Sequence, residues 1–330
     1  VKRAVILCPG RGSYTEKTLR SLPEGHPWVE RVEELRREYG LCSLLELDRA
    51  SKWDPKVHLA PQNVSPLIWL VSMLDAAAAA REYKLVAVAG NSMGWYTALA
   101  VGGALDFDDG FRLMQEMSIL QQEHTDGGQV IYPQVDENWR PDAHLQRSVE
   151  EALASSGGEA FPSIWLGGQA VLAGTENGIA HLLRTLPKVK LGQNSYPFRL
   201  MGHGPYHTPL LKDVSNKAQA RLGRLGFRKP ALHLIDGHGT RWSPHSADPQ
   251  AICEYTLGAQ ITQPYDFTLS VRVGLREYAP DRLVLPGPGN PLGSITGQIV
   301  IAEGWRGIRS RADFDAVQQS ADPIVHSMRR

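Results

Sequence analysis

Gly90-Asn91-Ser92-Met93-Gly94 follows an apolar run, Leu85 to Ala89, and leads into an alanine-rich segment with helical character. A serine hydroxyl stands clear of a sheet when it sits on a sharp strand-to-helix turn, and small neighbours permit that turn. The helix that follows aims backbone N–H groups and its positive end at a reacting carbonyl oxygen, where negative charge develops. Small-residue turns are common, so the five residues alone are a weak signal. The strand before them and the helix after them favour a nucleophilic Ser92 over a plain glycine turn.

A serine nucleophile needs a base, and eleven histidines are available. The segment MGHGPYHTPLL carries His203 and His207 downstream, the chain order of elbow hydrolases. Three readings stand side by side: a general base, a loop histidine satisfied by backbone, or a metal pair spaced i,i+4. Gly204 and Pro205 break the helix that would align two ligands, and no third ligand is evident, so the metal reading is weak. HLIDGHGTRWSPH, residues 233–245, is also histidine-rich, but its glycine and proline content predicts an exposed loop. Gly10 to Thr18, GRGSYTEKT, superficially matches a phosphate loop but lacks the glycine that must precede the lysine.

These residues need a scaffold of alternating strands and helices. RAVILC at residues 3–8 reads as a buried parallel strand closed by Pro9-Gly10-Arg11-Gly12, and residues 84–89 as a second. Amphipathic helices are predicted over 28–39 and 106–124, the latter with acidic residues in its first turn. Residues 61–83 form a helical pattern apolar on all sides, which belongs against a sheet. After Gly127-Gly128 the texture changes to short strands, GQVIYPQV, FPSIWLG, QAVLAG and LPKVKLG, with helices at about 146–155 and 176–185. That alternation predicts a small α+β insert before the chain returns to α/β material. From Arg311 the polar sequence predicts a peripheral helix or a frayed tail.

Composition narrows the classes. The 330 residues are long enough for one large α/β domain, alone or carrying a smaller one. Thirty-five basic residues balance thirty-five acidic ones, which favours neither nucleic acid nor an anionic membrane as partner. Cys8, Cys42 and Cys253 are few and scattered, which argues against a disulfide framework and for a reducing compartment. VKRAVILCPGRG reads as a first strand rather than a secretory signal, and no window is expected to reach a membrane-spanning helix. A soluble, cytoplasmic protein is the expectation.

Taken in order, the motifs resemble those of the malonyl-CoA:acyl carrier protein acyltransferase family, including the acyltransferase domains of polyketide synthases. Cys8-Pro9-Gly10-Arg11-Gly12-Ser13 is similar to the family's FPGQGSQ, and Gly90 to Gly94 to its GHSLGE elbow. Gly204-Pro205-Tyr206-His207-Thr208 is similar to the segment bearing its catalytic histidine. VLAGTENGIAHLL at 171–183, Gln260-Ile261-Thr262-Gln263-Pro264 and Pro286-Gly287-Pro288-Gly289 complete the set, which covers nearly the whole chain.

The resemblance implies an α/β-hydrolase-like large subdomain, 1–127 and 200–330, with an inserted ferredoxin-like α+β small subdomain, 128–199, and the site in the cleft between them. It implies ping-pong acyl transfer: Ser92 attacks an acyl thioester with His207 as base, and the phosphopantetheine thiol of an acyl carrier protein takes the acyl group. Backbone N–H groups of Arg11 and Met93 would form the oxyanion hole, and a backbone carbonyl would orient His207. Arg11, Asn91, Met117, Tyr206 and Gln260 would border the substrate. No bound cofactor and no metal are implied; acyl-CoA or a phosphopantetheinyl carrier protein is the substrate.

Three departures bear on what is carried. Family members that use malonyl units hold an arginine in the helix after the elbow, and Met117 stands at that position, with Arg112 more than one turn earlier. A thioether cannot give a carboxylate the bidentate, charge-assisted bond it needs on leaving water, so a dicarboxylic acyl group is disfavoured. Arg11 replaces a glutamine; its side chain either takes the place of the missing carboxylate partner, binds a polar group of an unusual acyl chain, or points to solvent. Asn91, Trp95 and Tyr206 replace other family residues, and Trp95 and Tyr206 either reshape the acyl pocket or pack in the core. The expected function is an acyltransferase for a non-malonyl group, in polyketide or related biosynthesis. The alternatives are a carrier-protein acyl hydrolase using the same dyad and a degenerate scaffold protein. Candidate basic surfaces for an acidic carrier are Trp305 to Arg311, and Arg31 with Arg36 and Arg37.

Overall fold

The computed structural model describes residues 1–124 and 126–329. Among the described residues thirteen strands follow one another along the chain. The first eight are β1 Arg3–Cys8, β2 Lys84–Gly90, β3 Gly128–Pro133, β4 Ala160–Leu166, β5 Gln169–Gly174, β6 Val189–Leu191, β7 Asn194–Tyr196 and β8 Phe198–Arg199. Then come β9 His233–Ile235, β10 Arg241–Trp242, β11 Tyr265–Asp266, β12 Arg282–Leu285 and β13 Val325–Ser327. The main sheet runs β10-β9-β2-β1-β12-β13, parallel except for the β9–β10 pair. Residues 4–8 of β1 are wholly buried, as a central parallel strand covered on both faces must be. A second sheet, β11-β4-β5-β3-β8, is antiparallel but for β11, which joins β4 from far along the chain. It has its own apolar core, built with helices Ala143–Ala154 and Glu176–Thr185. The expected mixed α/β class is the class observed.

Helix Pro61–Glu82 is long and apolar enough to cross a bilayer by length and composition, which corrects the expectation that no window would be. Seventy-eight per cent of that window is buried inside the protein, against helix Phe107–Glu123 and β2, so its apolar surface is already used. Pro66 lies within it and has no N–H for the carbonyl of Gln62. That carbonyl is taken instead by Arg36 Nη1 at 2.6 Å and Gln115 Nε2 at 3.1 Å. Arg36 is fully buried, and its other bonds go to the Cys42 carbonyl, Gln115 Oε1 and Asn63 Oδ1. The reading of Arg36 as surface charge is therefore corrected: the orphan carbonyl left by a proline recruits it inward.

Two further expectations change. Residues 233–245 form the edge pair β9–β10 rather than an exposed loop, because buried Asp236 accepts from the N–H groups of His238 (2.8 Å) and Thr240 (2.9 Å) and the Trp242 indole (2.9 Å). Of the two readings of the C-terminal stretch the helix is observed, Arg311–Gln319, and in place of a frayed tail the chain then supplies β13, the edge strand beside β12. Arg329 then locks onto Asp75, Nε to Oδ2 at 2.9 Å. A three-residue strand carries too little pattern to be read from sequence.

The end of β2 explains the glycines around Ser92. A Cβ on Gly90 would fall 2.1 Å from the Gly94 carbonyl, and one on Gly94 would fall 2.4 Å from the Cys8 carbonyl at the end of β1. Gly94→Ala is expected to cost about 1–3 kcal/mol through this overpacking. Urea unfolding of the variant beside the parent checks it; an unchanged midpoint would mean that the turn has slack.

Candidate active site

Ser92 sits between β2 and helix Gly94–Val101 with φ 55°, and His207 on its loop has φ 59°. The left-handed conformation costs a non-glycine residue about 1–2 kcal/mol, so both positions are held there by their surroundings. For Ser92 the holding bonds are local: Gly94 N–H to the Asn91 carbonyl at 2.8 Å and Trp95 N–H to the Ser92 carbonyl at 3.0 Å. Asn91 N–H also donates to the Cys8 carbonyl at 2.9 Å, tying the turn to β1.

Ser92 Oγ lies 2.7 Å from His207 Nε2, and His207 Nδ1 lies 2.7 Å from the backbone carbonyl of Gln260. A carbonyl only accepts, so Nδ1 carries the proton; in the neutral ring Nε2 is then the acceptor, and Ser92 donates to it. Gln260 also acts with its side chain. Its Nε2 donates to the Ser92 carbonyl at 3.1 Å, and its Oε1 accepts the Tyr96 hydroxyl at 2.8 Å. One residue thus grips both the serine backbone and the histidine ring.

His207 is buried, and loss of hydration holds its pKa down at about 4, with the Gln260 bond opposing this. Tyr265 flanks its ring, centroids 5.4 Å apart, and donates its hydroxyl to the Gly90 carbonyl at 2.6 Å. The other groups nearby are Tyr96 and Tyr206, with Arg11 behind Tyr206. The imidazole is therefore neutral at pH 7, ready to take a proton.

Ser92, Met93, Met117, Tyr206, His207 and Gln260 line one cleft, open to solvent. Arg11 and Asn91 do not line it. Arg11 is half-buried and donates from Nη1 to the Tyr206 hydroxyl at 3.0 Å, so its charge lies one side chain back from the cleft and not free in solvent. Asn91 is spent in the elbow, packed against Gly10. Trp95 belongs to the core: it is fully buried and donates its indole N–H to Thr256 at 3.0 Å. Arg112 pairs with Asp109 and is not among the lining residues. Five lining residues went unread in the sequence: Tyr96, Gln121, Leu211, Val214 and Ile261. Gln121 had a usable signal, one helical turn after Met117. Tyr96, Leu211, Val214 and Ile261 reach the cleft only through the tertiary fold.

No family model matches the chain. Among curated proteins, it is 24% identical over 297 residues to the malonyl CoA-acyl carrier protein transacylase of Escherichia coli, covering 88% of this chain and 91% of that one. It is 25% identical over 305 residues to the enzyme of the same name from Salmonella typhimurium, with the same coverage. The chain resembles the malonyl-CoA:acyl carrier protein transacylase family. Solved structures share its fold. The malonyl-CoA:ACP transacylase of Synechocystis superposes with TM-score 0.75 at 18% identity, covering 99% of this chain and 97% of that one. A chain from a type II polyketide synthase acyl-carrier protein in complex with its malonyl-transacylase gives 0.75 at 19% identity, covering 100% and 96%.

The basic clusters are largely occupied. Arg31 is paired with Asp108 and Glu34, and Arg36 is internal. At the other cluster Arg306 contacts Asp281, and Arg311 lies 4.8 Å from the Trp139 ring centroid.

The buried His207 makes a pH prediction whose sign follows from its lowered pKa. Above pH 6.5 the ring is neutral folded or unfolded; as pH falls from 6.5 through about 4 the unfolded chain binds the proton first and stability is lost. That loss is roughly 3 kcal/mol at its limit. His207→Gln is expected to remove it, so the gap in urea stability between pH 7 and pH 4 narrows. An equal gap in both proteins would place His207 in a wetter site than its burial implies.

Proposed function

We propose that the chain is an acyltransferase that moves an acyl group from a thioester donor, acyl-CoA or an acyl carrier protein, to the phosphopantetheine thiol of a carrier protein. The observation that carries this is the 2.7 Å contact between Ser92 and a neutral, carbonyl-held His207 at the floor of an open cleft. The family likeness supports the carrier protein as partner. The proposed division is a large subdomain, 1–127 and 200–330, and a small one, 128–199; the residues that line the cleft all belong to the large one, which corrects the expectation of a cleft walled by both.

In the first half-reaction Ser92 Oγ attacks the thioester carbonyl while its proton passes to His207 Nε2. Negative charge builds on the carbonyl oxygen, and the backbone N–H groups of Met93 and Arg11 are the proposed donors to it. The carbon–sulfur bond breaks, His207 returns the proton to the departing sulfur, and an acyl-Ser92 ester remains. In the second half His207 takes the proton from the acceptor thiol, its sulfur attacks the ester, and Ser92 Oγ recovers the proton. The Gln260 carbonyl stabilises the imidazolium in both halves, which is the task a carboxylate performs in a triad.

The acyl group is proposed to be neutral rather than malonyl, and the pathway a polyketide or related one. Among the described residues no arginine or lysine lines the cleft, and Met93, Met117, Leu211, Val214 and Ile261 make its wall apolar. A carboxylate buried there would lack a partner, at a cost of several kcal/mol. Met117→Arg supplies one. That substitution is expected to shift the acylation preference from acetyl toward malonyl thioester by about tenfold or more. Acylation rates of both proteins with the two donors, in the presence and absence of a holo carrier protein, measure this. A parent enzyme that already prefers malonyl would contradict the neutral-acyl reading; release as free acid with none on the carrier would make the enzyme a hydrolase.

A further inference from the structure

We propose that Ser163 and Gln129, backed by His203, are positioning residues that hold the backbone of His207 from the second sheet. The proposal rests on the Ser92–His207 reading above. It begins from the positive φ of His207, which is the torsion between the Tyr206–His207 peptide and the rest of the histidine. Whatever fixes that peptide fixes where the imidazole is launched. The Tyr206 carbonyl accepts Ser163 Oγ–H at 2.7 Å. Ser163 Oγ in turn accepts Gln129 Nε2 at 2.8 Å, and Gln129 Oε1 lies 2.8 Å from His203 Nδ1.

The chain of donors runs one way. The Gln129 amide oxygen can only accept, so His203 Nδ1 carries a proton and donates to it. The Gln129 amide then donates to Ser163, whose only proton is left for Tyr206. Ser163 is 0% and Gln129 1% exposed, so water cannot stand in for either. The sheet itself is bent to make this contact. The β4–β5 register slips between Pro162 and Ile164, leaving Ser163 as the extra, bulged residue, and a bulge re-aims a side chain. Directly after it, Ile164 and Trp165 pair with β11, whose Tyr265 flanks the His207 ring. One irregular strand therefore controls both the peptide before His207 and the aromatic wall beside it.

The alternative is that Ser163 only satisfies a buried carbonyl, in which case its loss lowers stability and leaves the imidazole where it was. The test compares the full chain with Ser163→Ala, Ser163→Thr and Gln129→Leu; the last keeps the serine bond but removes its support and serves if Ser163→Ala does not fold. Acylation with acetyl-CoA is followed against pH, together with nitrogen NMR of the His207 imidazole. The expected result for Ser163→Ala is an acylation rate down about tenfold or more. The acid limb moves up from about 4 toward 6.5, and the Nδ1–H tautomer is no longer fixed. Ser163→Thr, which keeps the hydroxyl, recovers most of the rate. A destabilised Ser163→Ala with parental rate, acid limb and imidazole spectrum overturns the proposal. If the parent is not acylated at all, the function is wrong, and the NMR comparison alone decides the positioning role.

Discussion

The hydrogen bond from His207 Nδ1 to the Gln260 carbonyl organises the site. It selects the tautomer that leaves Nε2 free to accept from Ser92, and it supplies the negative pole that a second acid would otherwise provide. The donor is buried, so the bond is not weakened by competing water, but burial also removes the hydration an imidazolium would need. The two effects oppose each other, and burial dominates, leaving a neutral ring at pH 7. A base of this kind works only while its partner is close, which explains why so much of the fold is committed to a single distance of 2.7 Å.

Ser92 and His207 are both held at left-handed backbone angles by separate parts of the chain. The serine is fixed by the meeting of β1 and β2, where Gly90 and Gly94 let the two strands and the helix approach to distances no side chain would allow. The histidine is fixed from outside the main sheet, through Gln260 on one side and the Tyr206 peptide on the other. Strain stored on both partners is consistent with a site whose geometry is set before substrate arrives.

The elbow was legible in the sequence because its signal is local: an apolar strand, a glycine–serine–glycine turn and a helix within about twenty residues. His207 was distinguished from its neighbour His203 by motif order, not by any property of the two side chains. The Met117 position came from aligning its helix with that of the family it resembles, and the cleft includes it. What stayed hidden depended on contacts between distant segments. Arg36 looked like a surface charge because nothing in its own helix shows that Pro66 leaves the Gln62 carbonyl open. Ser163 lay in an apolar strand with no feature except a one-residue slip that exists only once β5 is beside it. The terminal β13 was too short to carry a pattern and is defined by β12.

The central claim is that Ser92, activated by His207, carries the acyl group. Peptide mapping by mass spectrometry after incubation with acetyl-CoA at pH 7 tests it most directly, in the parent and in Ser92→Ala and His207→Ala. The account predicts an acetyl group on the peptide containing Ser92 in the parent, and no labelled peptide in either variant. Acetylation that persists in Ser92→Ala, or a parent peptide labelled elsewhere, would contradict it.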